Sequence, residues 1–147
     1  MLKVKRLSDY ATIPTKAHES DAGFDLYASE ETVIQVNGVT VVHTGIAIEM
    51  PQGIWIKIFS KSGLAVKQDL GVEAGVIDNA YRGEYLVAMV NYGTEPYTFQ
   101  KGDKIAQMVV MPHLLPKLPE GVEEITEVED FSIDTDRGED GFGSSGK

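Results

Sequence analysis

Between Gly75 and Val87 the chain reads GVIDNAYRGEYLV, which sets a carboxylate at Asp78, a phenol at Tyr81 and a guanidinium at Arg82 within five positions beside glycines. A carboxylate that is ionised at neutral pH can orient a water molecule and accept its proton. The trio follows the apolar pair Val76 and Ile77 and precedes the strand-like run YLVAMVNY, so it is expected at the turn of a hairpin. Turns on a rigid sheet commonly carry function. On their own, Asp78 and Asn79 also read as ordinary turn formers and Arg82 as a solvated charge.

Four further segments combine small residues with polar ones: DAGFDLYA from Asp21, SKSGLA from Ser60, GDKIAQMV from Gly102 and RGEDGFGSSG from Arg137. Each alone is the stuff of surface turns. In this order, together with GVIDNAYRGEY, they closely resemble the five motifs of the trimeric deoxyuridine triphosphatases, the dUTPases, from Asp21 almost to the last residue.

That resemblance implies hydrolysis of dUTP to dUMP and pyrophosphate by attack of water on the α-phosphorus, which keeps uracil out of DNA and supplies dUMP for dTMP synthesis. Asp78 matches the catalytic aspartate, and Tyr81 the tyrosine on which the deoxyribose packs, leaving no room for a 2′-hydroxyl. Backbone groups from Leu70 to Val76, with Val72, Gly75, Val76 and Ile77 at the substrate, would read uracil. A base with inverted donors and acceptors would leave polar groups unpaired, at roughly 1–3 kcal/mol each. Lys61, Ser62 and Gly63 match the phosphate cradle of the second motif, where small residues let oxygens approach the main chain. Gln107 matches a phosphate-contacting glutamine, although a strand glutamine bonded to backbone is its plain structural alternative.

Asp25 matches the first-motif aspartate that holds Mg²⁺ through coordinated water, a mode that suits magnesium because it keeps several waters. Arg137 would reach the terminal phosphates, Phe142 would lie over the uracil, and Gly143, Ser144 and Ser145 would add phosphate contacts. Arg82 is expected to brace the site or a subunit contact. His18, His43 and His113 fall outside every motif and read as structural.

The pattern is broken in two places. Lys61 stands where the family usually has arginine, keeping charge without the planar fork. Asp140 stands where the arm usually has glycine, adding a carboxylate beside Glu139 near a triphosphate. Two other readings compete. The sister dCTP deaminases carry a catalytic glutamate on the strand after the third motif, where this chain has Ala88. A binding or regulatory module on the same fold is the other, and the intact Asp78, Arg137 and Phe142 speak for activity.

The elements that must position these residues are short strands. Alternation of apolar and polar residues recurs in LKVKRL, TVIQV, VTVVHTGIAIEM, GIWIKIF, EYLVAMVNY and KIAQMVVM, broken by Gly, Pro and Asn. Only SGLAVKQDL suggests a short helix. The expected fold is all-β, a distorted jelly roll or β-sandwich over residues 1–130, with a flexible arm at 131–147 that closes over the site. The resemblance implies a homotrimer in which one subunit supplies the first, second and fourth motifs, another the third, and the last the arm.

Composition agrees with this reading. A domain of 147 residues buries about 70% of its unfolded surface, and the absence of cysteine excludes thiolate chemistry. Thirteen basic residues against 23 acidic ones give a net charge of −10, which disfavours a long nucleic acid as partner. No run reaches the length of a membrane span and the first residues lack the apolar stretch of a signal peptide, so a soluble cytoplasmic protein is expected.

Overall fold

A computed structural model describes residues 1–113. The alternating segments become strands, in chain order β1 (Lys3–Arg6), β2 (Gly23–Tyr27), β3 (Thr32–Ile34), β4 (Val39–Val42), β5 (Ile46–Glu49) and β6 (Ile54–Phe59). The one helix among the described residues, α1 (Ser62–Gln68), follows. Then come β7 (Leu70–Glu73), β8 (Val76–Ile77), β9 (Val87–Asn91), β10 (Tyr97–Phe99) and β11 (Lys104–Pro112).

All pairing between these strands is antiparallel. Four small sheets result: β1 with β5, β3 with β10, β2-β11-β6-β8, and β4-β9-β7. Because successive side chains on a strand point to opposite faces, one face of each sheet is apolar and turns inward. Ile56 and Ile58 of β6 are buried between half-buried Trp55 and Lys57. Val87 and Met89 of β9 do the same. Leu26, Ile34, Ile46, Ile48, Leu70, Phe99, Ile105 and Met108 join them in one core to which every sheet contributes. Each such side chain stabilises the fold by about 1.5–3 kcal/mol through burial. Several small antiparallel sheets wrapped about a single core are the expected distorted jelly roll.

The expected helix is present and short. Lys61, in extended conformation, precedes it, and Asp69, with φ of 51°, ends it in the left-handed region. The helix buries no residue of its own, so its service is to turn the chain between β6 and β7.

One expectation fails. Val76–Ile77 and the run after Tyr85 do not form a hairpin with each other: β8 pairs with β6, while β9 pairs with β4 and β7. Ala74 and Gly75, with φ of 58° and 91°, swing the chain off one sheet and onto the other. Residues 78–86 are therefore a crossing between two sheets, and the alternation of apolar residues carried no record of it. The boundary expected at residue 130 lies outside the described residues.

Candidate active site

The sheet β2-β11-β6-β8 carries the site on two of its parts. At one end, Gln107 of β11 faces Asp25 of β2 on one side and Phe59 of β6 on the other. The Gln107 amide donates to the Ser60 carbonyl at 3.1 Å, the backbone partnership that sequence left open for it. Only one of its two N–H groups is used in that bond. Asp25 is buried, 7% exposed, and accepts from Lys61 Nζ at one carboxylate oxygen and from Lys104 Nζ, at 2.7 Å, at the other. Burial pushes the Asp25 carboxyl up, but the hydrogen bonds and charges of Lys104 and Lys61 together outweigh it and hold it below the usual carboxylate range. The same contact raises Lys104.

Ser62 and Gly63, both exposed, open the helix directly after Lys61. They follow directly on Ser60 and Lys61, which touch Gln107 and Asp25, so that the first, second and fourth motifs meet in one chain. Ser60 closes the cluster from behind: its hydroxyl accepts the Val72 N–H at 2.9 Å, tying β7 to the corner between β6 and α1.

The third motif lies elsewhere. Gly75 accepts the Ile58 N–H at 2.8 Å and the Ala74 carbonyl accepts Lys57 Nζ at 2.5 Å. With Ile77 opposite Ile56, alternation turns the N–H and C=O of Val76 toward the edge of β8 that no strand pairs among the described residues. Val72 was expected to present its backbone to the base, and its N–H is engaged by the Ser60 hydroxyl. Asp78 is exposed, and its carbonyl accepts the Tyr81 N–H at 3.0 Å. Arg82 donates to the carbonyls of Asn79 at 2.6 Å and Tyr81 at 2.9 Å. It braces the loop that carries Asp78 and Tyr81. Val76, Ile77, Asp78, Tyr81, Glu84 and Leu86 line an open cavity of about 190 Å³.

The two parts are far apart. Continuing the register, Asp78 falls beside Trp55, four residues along β6 from the Phe59 level where Gln107 and Asp25 sit. At about 3.3 Å per residue, and about 4.8 Å for each of three strand spacings from β8 to β2, Asp78 and Asp25 are roughly 20 Å apart in one chain.

Sequence reasoning missed Lys104, Ser60 and Glu84. All three lie inside or next to segments it had singled out, and only contact reveals their partners. Ala88 lies within β9, opposite Val41 and Glu73, and brings no catalytic acid there. His43 bonds Glu84 at 3.0 Å, a structural use in keeping with expectation. Among the described residues no group of three or more His, Cys, Asp and Glu side chains could cage a metal ion, and no helix is long and apolar enough to cross a membrane. Arg137, Asp140, Phe142, Gly143, Ser144 and Ser145 lie outside the described residues.

Comparison with known proteins gives one answer at the level of family, structure and sequence. The dUTPase family profile matches residues 9–146. The deoxyuridine 5′-triphosphate nucleotidohydrolase of Alkaliphilus metalliredigens is 44% identical over 99% of this chain and 96% of its own length. A variant of the Staphylococcus bacteriophage 80alpha dUTPase, solved with dUpNHpp, superposes with a TM-score of 0.85 at 30% identity, covering 100% of this chain and 99% of that one. A variant of the dUTPase of phage phi11 of S. aureus, which coordinates a structural Mg(II) ion, has a TM-score of 0.77 at 27% identity, covering 90% of this chain and 99% of that one.

Proposed function

Because this chain belongs to the dUTPase family, it is a dUTP diphosphatase, and we propose that a water held by Asp78 attacks the α-phosphorus of dUTP at a site assembled from more than one subunit. The observation that carries the shared site is the separation just described. Groups that activate a water at the α-phosphorus and groups that hold the same triphosphate must lie within several ångström of its reacting atoms. Asp78 and the Asp25 cluster, roughly 20 Å apart by strand geometry, can serve one substrate only if they come from different copies. A homotrimer, the assembly expected from the family, supplies them.

The roles then follow from chemistry. Asp78, exposed beside the cavity of about 190 Å³, takes the proton of the attacking water. Tyr81 forms the wall on which deoxyribose packs and against which a ribose 2′-hydroxyl collides. The free edge of β8 at Val76, flanked by Gly75 and Ile77, offers backbone donor and acceptor to the uracil, with Val72 steadied behind it by Ser60. Backbone recognition of this kind rejects cytosine because its buried groups would go unpaired. From the other subunit, Lys61, the hydroxyl of Ser62, the N–H of Gly63 and the second amide hydrogen of Gln107 receive the phosphate oxygens. Arg137, Phe142, Gly143, Ser144 and Ser145 complete the closure over base and phosphates.

Mg²⁺ fits this site in one mode. Both Asp25 oxygens already bond lysines, yet each keeps a lone pair that can accept from a metal-bound water. Asp25 would hold the ion by that route, and the triphosphate would supply its direct ligands. When bound, the ion neutralises charge on the phosphates.

Pyrophosphate release from dUTP, set against dTTP, dCTP and UTP, with Mg²⁺ and with chelator, tests the reading. dUTP should be the preferred substrate, chelator should slow the reaction, and Asp78→Asn should lower kcat by at least about a hundredfold. An Asp78→Asn enzyme of near wild-type kcat would sink the assignment of the base.

A further inference from the structure

Glu84 stands behind Tyr81 and is tied down three times. Its carboxylate accepts the Gly45 N–H at 2.8 Å through one oxygen, and the other lies 3.0 Å from His43 Nδ1. Its backbone carbonyl accepts the Tyr81 hydroxyl at 3.0 Å. The residue after it is stitched to the same strand turn: Tyr85 N–H donates to the Ile46 carbonyl at 2.8 Å, and the Thr44 hydroxyl donates to the Tyr85 carbonyl at 2.6 Å.

Among the described residues the Tyr81 ring has little else to fix it. It is 42% exposed, and its aromatic neighbour, the buried Tyr85, lies 6.3 Å away centroid to centroid at a 37° tilt, at the far end of useful ring contact. The ring lies over Gly83, where any Cβ would strike it, so glycine gives it room without gripping it. The hydroxyl bond to Glu84 is therefore the restraint that stops the ring from swinging about χ1 and χ2. That restraint is only as firm as the carbonyl that provides it, whose peptide is held on one side by the Tyr85 N–H bond to Ile46 and on the other by the Glu84 carboxylate on the β4–β5 turn.

We propose that Glu84 is a positioning residue for sugar selection: its carboxylate, bonded to Gly45 and His43, steadies the backbone carbonyl that accepts the Tyr81 hydroxyl, and so holds the Tyr81 ring where a 2′-hydroxyl cannot fit. This rests on the reading of Tyr81 as the surface under the deoxyribose. A ring free to rock by an ångström opens space for ribose, so the loss falls on discrimination before it falls on turnover.

The test measures kcat/KM for dUTP and for UTP, with thermal melting alongside, in wild type, Glu84→Ala, Glu84→Gln, His43→Ala and Tyr81→Phe. Wild type should strongly prefer dUTP. Glu84→Ala and Tyr81→Phe should each lower the dUTP/UTP ratio by roughly tenfold, with UTP turnover rising. The two changes combined should lower it little further, because both cut one restraint. Glu84→Gln keeps an acceptor for the Gly45 N–H and should retain most of the preference. A folded Glu84→Ala enzyme with the wild-type ratio, or with equal losses on both substrates, overturns the proposal. If Glu84→Ala does not fold, His43→Ala, which removes one tie at a half-exposed side chain, should show a smaller fall in the ratio, and no fall there is equally fatal. A wild type indifferent to the sugar overturns the reading of Tyr81 itself.

Discussion

Asp25 shows how far one residue can be read from its type and where reading stops. Its place in DAGFDLYA marked it as a carboxylate of the site, but its charge state belongs to Lys61 and Lys104, which reach it from the end of β6 and from β11. The sign of the effect on stability follows. The Asp25 carboxyl sits below its ordinary value of 3.8 in the folded chain, so the unfolded chain binds the extra proton first on acidification. The stabilisation is complete above that value and is lost as pH falls through the depressed one. Lys104→Met removes one of the two ammonium groups and leaves burial in place. Its acid transition, followed by circular dichroism in metal-free buffer, should move to higher pH than that of wild type, and an unmoved transition would contradict the coupling. Lys104 itself was not legible as a partner, because a lysine in GDKIAQMV looks like any strand-edge lysine until the register of β11 on β2 is known.

At the scale of elements, the decisive feature is the corner at Ala74 and Gly75. The strands around it were legible, since apolar alternation is a local property and β6, β9 and β11 all obey it. Their partners were not. A segment of two residues, β8, has too little pattern to declare which sheet it joins, and its pairing with β6 depends on a turn that only the backbone angles reveal. Gly75 makes the turn possible twice over: its φ of 91° disfavours a side chain, and a Cβ there would lie 2.8 Å from the Ile58 carbonyl oxygen. Gly75→Ala should therefore destabilise the fold by about 2 kcal/mol or more, from the unfavourable φ and the displaced β6–β8 bond together. Urea denaturation measures this, and a midpoint equal to that of wild type would show the corner to be more pliable than its geometry indicates.

For the whole molecule, the consequence of the corner is that the third motif stands apart from the first, second and fourth, and the proposed site is then divided between chains. Asp78 is carried to one end of the sheet, and Asp25, Lys61 and Gln107 stay at the other. Two crippled enzymes should then rescue each other: one altered at Asp78 (Asp78→Asn), the other at both Lys61 and Gln107 (each to Ala). When they are mixed under conditions that exchange subunits, some sites receive an intact Asp78 from one chain and an intact cluster from another. In a random equal mixture of trimers about a quarter of the sites should be whole. Activity that stays at the level of the separate variants would mean that each site is built within one chain, and sedimentation as an active monomer would mean the same.

Sequence alone determined the residue types on offer here, a carboxylate of the kind that can activate water and small residues of the kind that let phosphate approach the main chain, together with an all-β scaffold and the family. These are consequences of residue type and local order. Tertiary structure decided which groups meet. It gave Asp25 two lysines, turned Val72 to Ser60 and left Val76 open, set Glu84 behind Tyr81, and separated the third motif from the first, second and fourth. Those outcomes come from strand register and from one left-handed turn, which join residues tens of positions apart and leave no periodic trace in the chain.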